Sequence, residues 1–282
     1  MPINDHTLKL AGLIGDPVAH SRSPALHNAA FTHLGIPACY ELWPTPAADL
    51  PARIAGLRAA QILGANVTLP HKIAVLGLLD RLDPAAMLIG AVNTIVRAAD
   101  GTLVGTNTDA PACLASLRED AGYQPAGGSA VILGASGAAR AAAVALAGAG
   151  IARLVVVNRT LEKAEQLLGD LLAATDTVPY LRALAPDDAD LPAALAAADL
   201  IINATSLGWQ ADETPLAAEH IPANALVFDM IYRPTRLLHD AAARAARTLD
   251  GAGMLVRQAA LAFELWTNQP APLEIMRAAL RP

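Results

Sequence analysis

The chain has 282 residues, of which 54% are hydrophobic and only 4% aromatic, and its formal net charge is −6. That length holds one large domain or two of ordinary size, and an alanine-rich, aromatic-poor interior implies helices packed closely on sheets. A negative chain has no general attraction for nucleic acid or an anionic membrane, and two cysteines, Cys39 and Cys113, are too few and too far apart for a disulfide framework or a zinc ribbon; either could pair or react, and buried free thiols are expected.

The opening MPINDHTLKLAGLIGDP has no basic start followed by a sustained apolar stretch, so it does not read as a signal peptide. No segment is apolar for long enough to span a bilayer; the most apolar region, 130–157, is broken by Arg140, Arg153 and several glycines. A cytoplasmic protein is expected. KLAGLIG (9–15) and ACYELW (38–43) read as strands, LPARIAGLRAA (50–60) as a helix and GANVTL (64–69) as a strand. AVNTIV (91–96) and TLVGTN (102–107) follow as two strands joined through an Asp100-Gly101 turn. This alternation predicts an α/β domain.

A second unit begins near the glycine-rich AGYQPAGGS (121–129). AVILG (130–134) is a short run of buried-strand type, ASGAARAAAVALAGAG (135–150) an alanine-rich helix ended by glycine, and RLVVVNR (153–159) the next strand. That is a βαβ unit, for which a right-handed crossover is expected. Further strands are predicted at DLIINAT (199–205) and ALVFDM (225–230), and the alanine-rich 181–199 reads as helix. From about 252 the chain turns strongly helical, in GMLVRQAALAFELW (253–266) and APLEIMRAALRP (271–282).

The turn GASGAAR (134–140) lies between a strand and a helix, where glycines let backbone amides and the helix N-terminus approach a pyrophosphate. Ser136 stands at the fingerprint's second glycine position, with Gly137 beside it; a serine there could offer a hydroxyl to phosphate. The alternative is a turn that serves helix packing only. An NAD site places an acid at the end of the next strand; this chain places Asn158, Arg159 and Thr160, with Lys163 a turn later. A planar guanidinium suits a ribose 2′-phosphate, which favours NADP over NAD, although Lys163 also reads as an ordinary surface lysine.

Only three of the twenty basic residues are lysines: Lys9, Lys72 and Lys163. Lysine can surrender a proton where arginine cannot, so Lys72, at the end of NVTLPHK (66–72), is a candidate acid or base. Three other polar stretches interrupt apolar context, GDPVAHSRSPALHN (15–28), GAVNT (90–94) and GTNTDA (105–110). Each follows a strand, where open α/β sheets form their ligand crevice. Ser21, Ser23, Thr68, Asn93 and Asp109 offer a hydrogen-bonding wall suited to a small polyhydroxylated acid. His20, His27 and His71 lie near it without metal-ligand spacing, and no metal is expected.

In this order the Ser-x-Ser-Pro stretch, NVTLPHK, GAVNT, GTNTD, GASGAA, NRT, INATSLG, DMIY and the closing GMLVRQAALAFELW resemble the shikimate dehydrogenase family over nearly the whole chain. The resemblance implies NADPH-dependent, metal-free, reversible reduction of 3-dehydroshikimate to shikimate by a monomer or homodimer. It implies that Ser21 and Ser23 hold the substrate carboxylate, that Asn93, Asp109 and Gln258 bind ring hydroxyls, that Thr68 and Tyr232 line the site, and that Lys72 and Asp109 are the catalytic pair. It places the dinucleotide on Gly134, Ala135, Ser136, Gly137, Ala138, Asn158, Arg159, Thr160, Lys163, Thr205, Ser206, Met230, Gly251 and Met254, the last against either the nicotinamide or the core. The chain departs from the family pattern at APA after Asp109, at a shortened segment after Tyr232, and at WTN where a glycine is usual.

The expected architecture is two α/β domains separated by a cleft: a substrate domain of 1–108 plus 252–282, and a Rossmann-type NADP domain of 109–251, with hinges at the two crossings. Rivals are a quinate/shikimate dehydrogenase using NAD and a non-catalytic NADP-binding sensor. A short-chain dehydrogenase would need Tyr-x-x-x-Lys, and none of the four tyrosines has lysine four residues later.

Overall fold

A strand buried on both faces needs an unbroken apolar run, whereas one with a polar neighbour can alternate; the two halves of the chain differ in this way. A computed structural model describes residues 8–175, 178 and 180–280. The first seven residues and the last two, Arg281 and Pro282, which the leader and terminal-helix readings include, lie outside them. The chain divides into two compact units, Met1–Thr108 with Val256–Pro282, and Asp109–Leu255. Among the described residues no helix is long and apolar enough to cross a membrane.

The first unit holds a mixed sheet of β1 (Lys9–Gly15), β2 (Ala38–Pro44), β3 (Ile62–Val67), β4 (Arg81–Leu82), β5 (Thr94–Arg97) and β6 (Leu103–Thr106), in the order β2-β1-β3-β5-β6-β4. β1 pairs in parallel with β2 and β3, and β5 runs antiparallel to both β3 and β6. Helices α1 (Ser23–Leu34), α2 (Leu50–Gly56) and α3 (Pro84–Ile89) connect the strands. Each of the three carries proline in its first turn, where the missing N–H has no partner to lose. The strand expected at 91–96 begins only at Thr94, which leaves Ala91, Val92 and Asn93 in the approach turn.

The second unit begins with α4 (Asp109–Ala115), in which Pro111 sits in the tolerant first turn. Then follow β7 (Ser129–Leu133), α5 (Gly137–Gly148), β8 (Arg153–Val157), α6 (Leu161–Ala174), β9 (Tyr180–Leu184), α7 (Leu191–Ala196), β10 (Leu200–Asn203), β11 (Leu226–Asp229), α8 (Arg236–Ala243) and β12 (Arg247–Leu249). The sheet order is β12-β11-β10-β7-β8-β9, with every pair parallel. β7, β10 and β11 are buried along their whole length, as two-sided burial requires. Ala139, Ala141, Ala142, Ala143, Ala145 and Ala147 of α5 are all buried, so this helix packs on its neighbours largely through methyl groups.

One expectation fails. The segment 181–199 reads as helix, but Leu181–Leu184 belong to edge strand β9, paired with β8, and only Leu191–Ala196 are helical. Alanine's helix propensity amounts to a fraction of a kcal/mol per residue and yields to a ladder of backbone hydrogen bonds along an open sheet edge.

Helix α9 (Ala252–Thr267) leads from the second unit into the first and is followed by α10 (Leu273–Leu280). The far end of α9 is anchored in the first unit by Trp266, whose indole donates to the Ile95 carbonyl at 3.0 Å. A Cβ on Gly64 would lie 2.3 Å from that indole nitrogen and 2.2 Å from the Ile95 oxygen, so the strand must be bare there. Asn268 ends α9 with φ 54°, and asparagine is one of the few residues that enters this left-handed region readily. That explains how WTN replaces the usual glycine.

Candidate active site

In the second unit the strand order reverses between β7 and β10, so the turns after these two strands form the lips of the crevice where open parallel sheets take ligands. Gly134 ends β7 with φ 105°, and a Cβ there would lie 3.0 Å from Thr205 Cγ2. Ser136 caps α5: its Oγ accepts from the Ala139 N–H at 3.4 Å and donates to the Ala204 carbonyl at 2.9 Å. The hydroxyl expected for phosphate instead directs its proton across the crevice to the β10 turn. Ala135 and Ala138 flank it half-exposed, and Gly137 opens the helix.

Asn158, after β8, turns its amide onto the Thr160 carbonyl at 2.7 Å, while Arg159, Thr160 and Lys163 are exposed at the start of α6. Thr205 donates its hydroxyl to Asn203 Oδ1 at 2.7 Å, and Ser206 is exposed. Met230 is half-buried after β11, and the Gly251 N–H donates to the Ile231 carbonyl at 3.1 Å. Met254 lies in the hydrophobic cluster with Ala112, Ala139 and Ile202, the core one of its two expected roles. Tyr232 meets Trp209 edge-on with centroids 5.4 Å apart, and the Arg233 guanidinium sits 4.8 Å from the Trp209 ring.

These turns rest on a buried polar group that was not anticipated from the sequence. Asp229 Oδ1 accepts from Asn203 Nδ2 at 3.0 Å and from the Ile231 N–H at 3.1 Å, and Oδ2 accepts from the Thr235 hydroxyl at 2.7 Å. Thr235 also caps α8, so the shortened segment after Tyr232 still delivers a threonine to both jobs. Burial pushes the Asp229 carboxyl above the usual carboxylate range, against the pull of its three donors.

In the first unit the groups cluster at the ends of β1, β3 and β6. Ser21 donates to Ser23 Oγ at 3.1 Å and accepts from the Ser23 N–H at 3.2 Å, at the entry to α1. The Thr68 N–H donates to the Ile14 carbonyl at 2.8 Å. His71 Nε2 lies 2.6 Å from the Thr45 carbonyl; a carbonyl only accepts, so Nε2 carries the proton and His71 is a clamp. Lys72 is half-buried, and its carbonyl accepts from the Val92 N–H at 2.8 Å, which ties it to the GAVNT turn. Asn93 is buried, with Oδ1 accepting from the Thr108 N–H at 2.8 Å. Gln258 lies half-buried on α9; Asp109, the first residue of α4, belongs to the second unit and is buried there.

Among the described residues no group of three or more His, Cys, Asp or Glu is placed to hold a metal ion. Both cysteines are free; Cys113 is buried, and its thiol is pushed up to about 12 by burial and by Asp109, but Cys39 is half-exposed, which corrects the expectation that both are buried.

Family models match along the chain: the shikimate dehydrogenase substrate binding domain over residues 13–95, shikimate/quinate 5-dehydrogenase over 119–225, and the shikimate 5′-dehydrogenase C-terminal domain over 251–281. A Moorella thermoacetica protein named shikimate dehydrogenase (NADP(+)) is 47% identical over 276 residues, 96% of this chain and 92% of that one. The chain belongs to the shikimate dehydrogenase family.

Solved structures of the shikimate dehydrogenase family share its fold. That of the Thermus thermophilus shikimate 5-dehydrogenase in complex with NADP(H) and shikimate has a TM-score of 0.84 at 40% identity, covering 97% of this chain and 99% of its own. A Corynebacterium glutamicum quinate dehydrogenase in complex with NAD reaches 0.86 at 30% identity, with 97% and 98% covered. Backbone shape therefore does not separate the two substrates within this family; side chains must.

Proposed function

We propose that the chain catalyses the reversible NADPH-dependent reduction of 3-dehydroshikimate to shikimate. Its similarity over nearly the full length to relatives named shikimate dehydrogenase (NADP(+)) carries this reading. The residues suit such a cofactor: a glycine turn bare of side chain at Gly134, a twelve-residue helix opening on Gly137, and a basic rather than acidic end to β8. NADPH, when bound, supplies the hydride.

The protein's own groups do the rest. As negative charge grows on the substrate's carbonyl oxygen, the Lys72 ammonium stabilises it and delivers a proton to that oxygen; in the reverse direction neutral Lys72 takes the alcohol proton. Asp109 binds a neighbouring ring hydroxyl. Ser21 and Ser23 hold the carboxylate, with Asn93, Thr68, Gln258 and Tyr232 addressing the ring. Arg159, with Lys163 and Thr160, grips the 2′-phosphate.

The test follows absorbance at the reduced-nicotinamide band with shikimate and with quinate, each against NADP and NAD. Strong turnover only with shikimate and NADP is expected; preference for quinate or NAD would overturn the reading of Ser21 and Ser23 or of Arg159. Arg159→Ala should raise the KM for NADP by about 10- to 100-fold, the loss of a charge-assisted bond of about 1.5–3 kcal/mol. The KM for NAD should stay within a few-fold, because Arg159 is exposed and the Asn158 bond that shapes the turn does not involve its side chain. Equal losses with both dinucleotides would sink the assignment.

A further inference from the structure

We propose that Tyr40 and Thr94 are positioning residues that fix which end of the Asn93 side-chain amide faces the substrate. The inference rests on the reading of Asn93 as a substrate ligand. An asparagine amide has two nearly isosteric ends, one donating and one accepting, and only its partners decide their order. The hydrogen bonds around Asn93 decide it.

The run of bonds starts on β2. Tyr40 OH donates to Asn66 Oδ1 at 2.8 Å. The two side chains share a face of the sheet: Tyr40 is in register with Ala11 of β1, Asn66 with Leu13 two residues on, and alternate residues of a strand point the same way. The small Ala11 side chain lets the phenol reach across β1. With its oxygen engaged, Asn66 donates Nδ2 to Thr94 Oγ1 at 3.0 Å and to the Asn93 carbonyl at 3.3 Å. Thr94 Oγ1, having accepted from Asn66, directs its own proton to Asn93 Oδ1 at 3.0 Å. The Thr108 N–H reaches the same oxygen at 2.8 Å, and Asn93 Nδ2 donates to Thr108 Oγ1 at 2.9 Å.

The bonds from Tyr40 through Asn66 to Thr94 run in one direction. Thr94 Oγ1 also lies 3.2 Å from Thr108 Oγ1, where either hydroxyl can donate, and Thr108 Oγ1 in turn lies 3.2 Å from Asn93 Oδ1, so both hydroxyl protons end on that oxygen or on each other. Asn93 Oδ1 is committed to donors of the protein, so Asn93 meets a substrate hydroxyl or carbonyl as a donor through Nδ2. Tyr40 cannot act as an acceptor-only phenolate, since burial raises its ionisation far above the ordinary range. The threonines of GAVNT and GTNTD thereby acquire a common purpose: each closes on the Asn93 oxygen from its own strand end.

Thr94→Val keeps the shape and removes the hydroxyl. It is expected to raise the KM for shikimate about tenfold, the effect of one hydrogen bond at about 1.4 kcal/mol. kcat should stay within about threefold and the KM for NADP should not move, as loss of uniform binding requires. Thr94→Ser should restore the wild-type value, and Tyr40→Phe should shift the KM for shikimate in the same direction by less. In nitrogen-15 NMR spectra the Asn93 side-chain amide protons should be resolved in the wild type and broadened or averaged in Thr94→Val, a readout that needs no turnover. An unchanged KM for shikimate, a Thr94→Ser as impaired as Thr94→Val, or a parallel rise for NADP would each overturn the inference. If Thr94→Val does not fold, Tyr40→Phe decides by the same criteria. Wild-type protein without shikimate turnover would overturn the ligand reading of Asn93 and this inference with it; turnover with an indifferent Thr94→Val would overturn the inference alone.

Discussion

Lys72→Ala is expected to lower kcat for shikimate oxidation by about 10²- to 10⁴-fold, the range removed with a positioned proton-transfer group. The KM for NADP should change little, since the residues proposed for the dinucleotide lie in other segments. The variant keeps the Lys72 carbonyl that holds the Val92 N–H; its melting temperature is the control for the fold. Lys72→Arg separates charge from proton transfer. It keeps a cation near the developing oxyanion, but a guanidinium with a pKa above about 12 gives up its proton poorly, so activity should stay well below wild type. This chain uses arginine for seventeen of its twenty basic residues, so a lysine at the end of NVTLPHK stands against its own habit. Steady-state rates of the three proteins under identical conditions decide. Near-normal turnover of Lys72→Ala would remove the lysine from the mechanism, and full activity of Lys72→Arg would reduce its part to electrostatics.

The parts of the fold that were legible in the sequence are those where a local pattern and the tertiary demand coincide. AVIL, LVVV and LII are short unbroken apolar runs because β7, β8 and β10 are covered on both faces. GASGAAR reads as a strand-to-helix turn because Gly134 needs both a positive φ and a missing Cβ. Edge strand β9 was not legible, since nothing in LRAL distinguishes a strand from a helix once alanine dominates the window. Ser136 and Asn268 look like defects in a pattern until their partners are visible: one ties Ala204, the other ends α9 in the left-handed region. Asp229, Asn203 and Thr235, and likewise Tyr40, Asn66, Thr94 and Thr108, are drawn largely from separate segments of the chain. Each alone is an ordinary polar residue, in or beside a strand or, for Thr235, capping a helix; only the folded chain brings them together.

Between about pH 7 and pH 4 the first unit should lose about 3 kcal/mol of stability through His27 alone. This imidazole is fully buried on α1, stacked on Tyr40 at 4.3 Å between ring centroids and flanked by Trp266 at 5.2 Å and Phe31 at 6.5 Å. Neither ring nitrogen makes a hydrogen bond of ordinary geometry. Burial lowers its pKa from 6.5 to about 3, and the nearby Asn66 amide offsets that only in part. Between those two values the unfolded chain binds a proton that the folded one refuses, so stability rises with pH through the window and falls on acidification. His27→Phe keeps a ring between Tyr40 and Trp266 and removes the titration, so its pH dependence should be flatter than wild type by that amount. Groups common to both proteins cancel in the difference. These include Asp80, held at about 2 by the Arg58 guanidinium and the Leu103 N–H, and Asp229, whose raised pKa works in the opposite sense, the folded chain taking up that proton more readily than the unfolded one as the pH falls. Because two units need not unfold together, the measurement is native-state hydrogen exchange of the β1 and β3 amides at both pH values. Equal pH dependence in wild type and His27→Phe would mean that His27 finds a proton acceptor or a path to water when it charges; the predicted gap would show that the aromatic stack beneath the Asn66 relay holds together only while His27 is neutral.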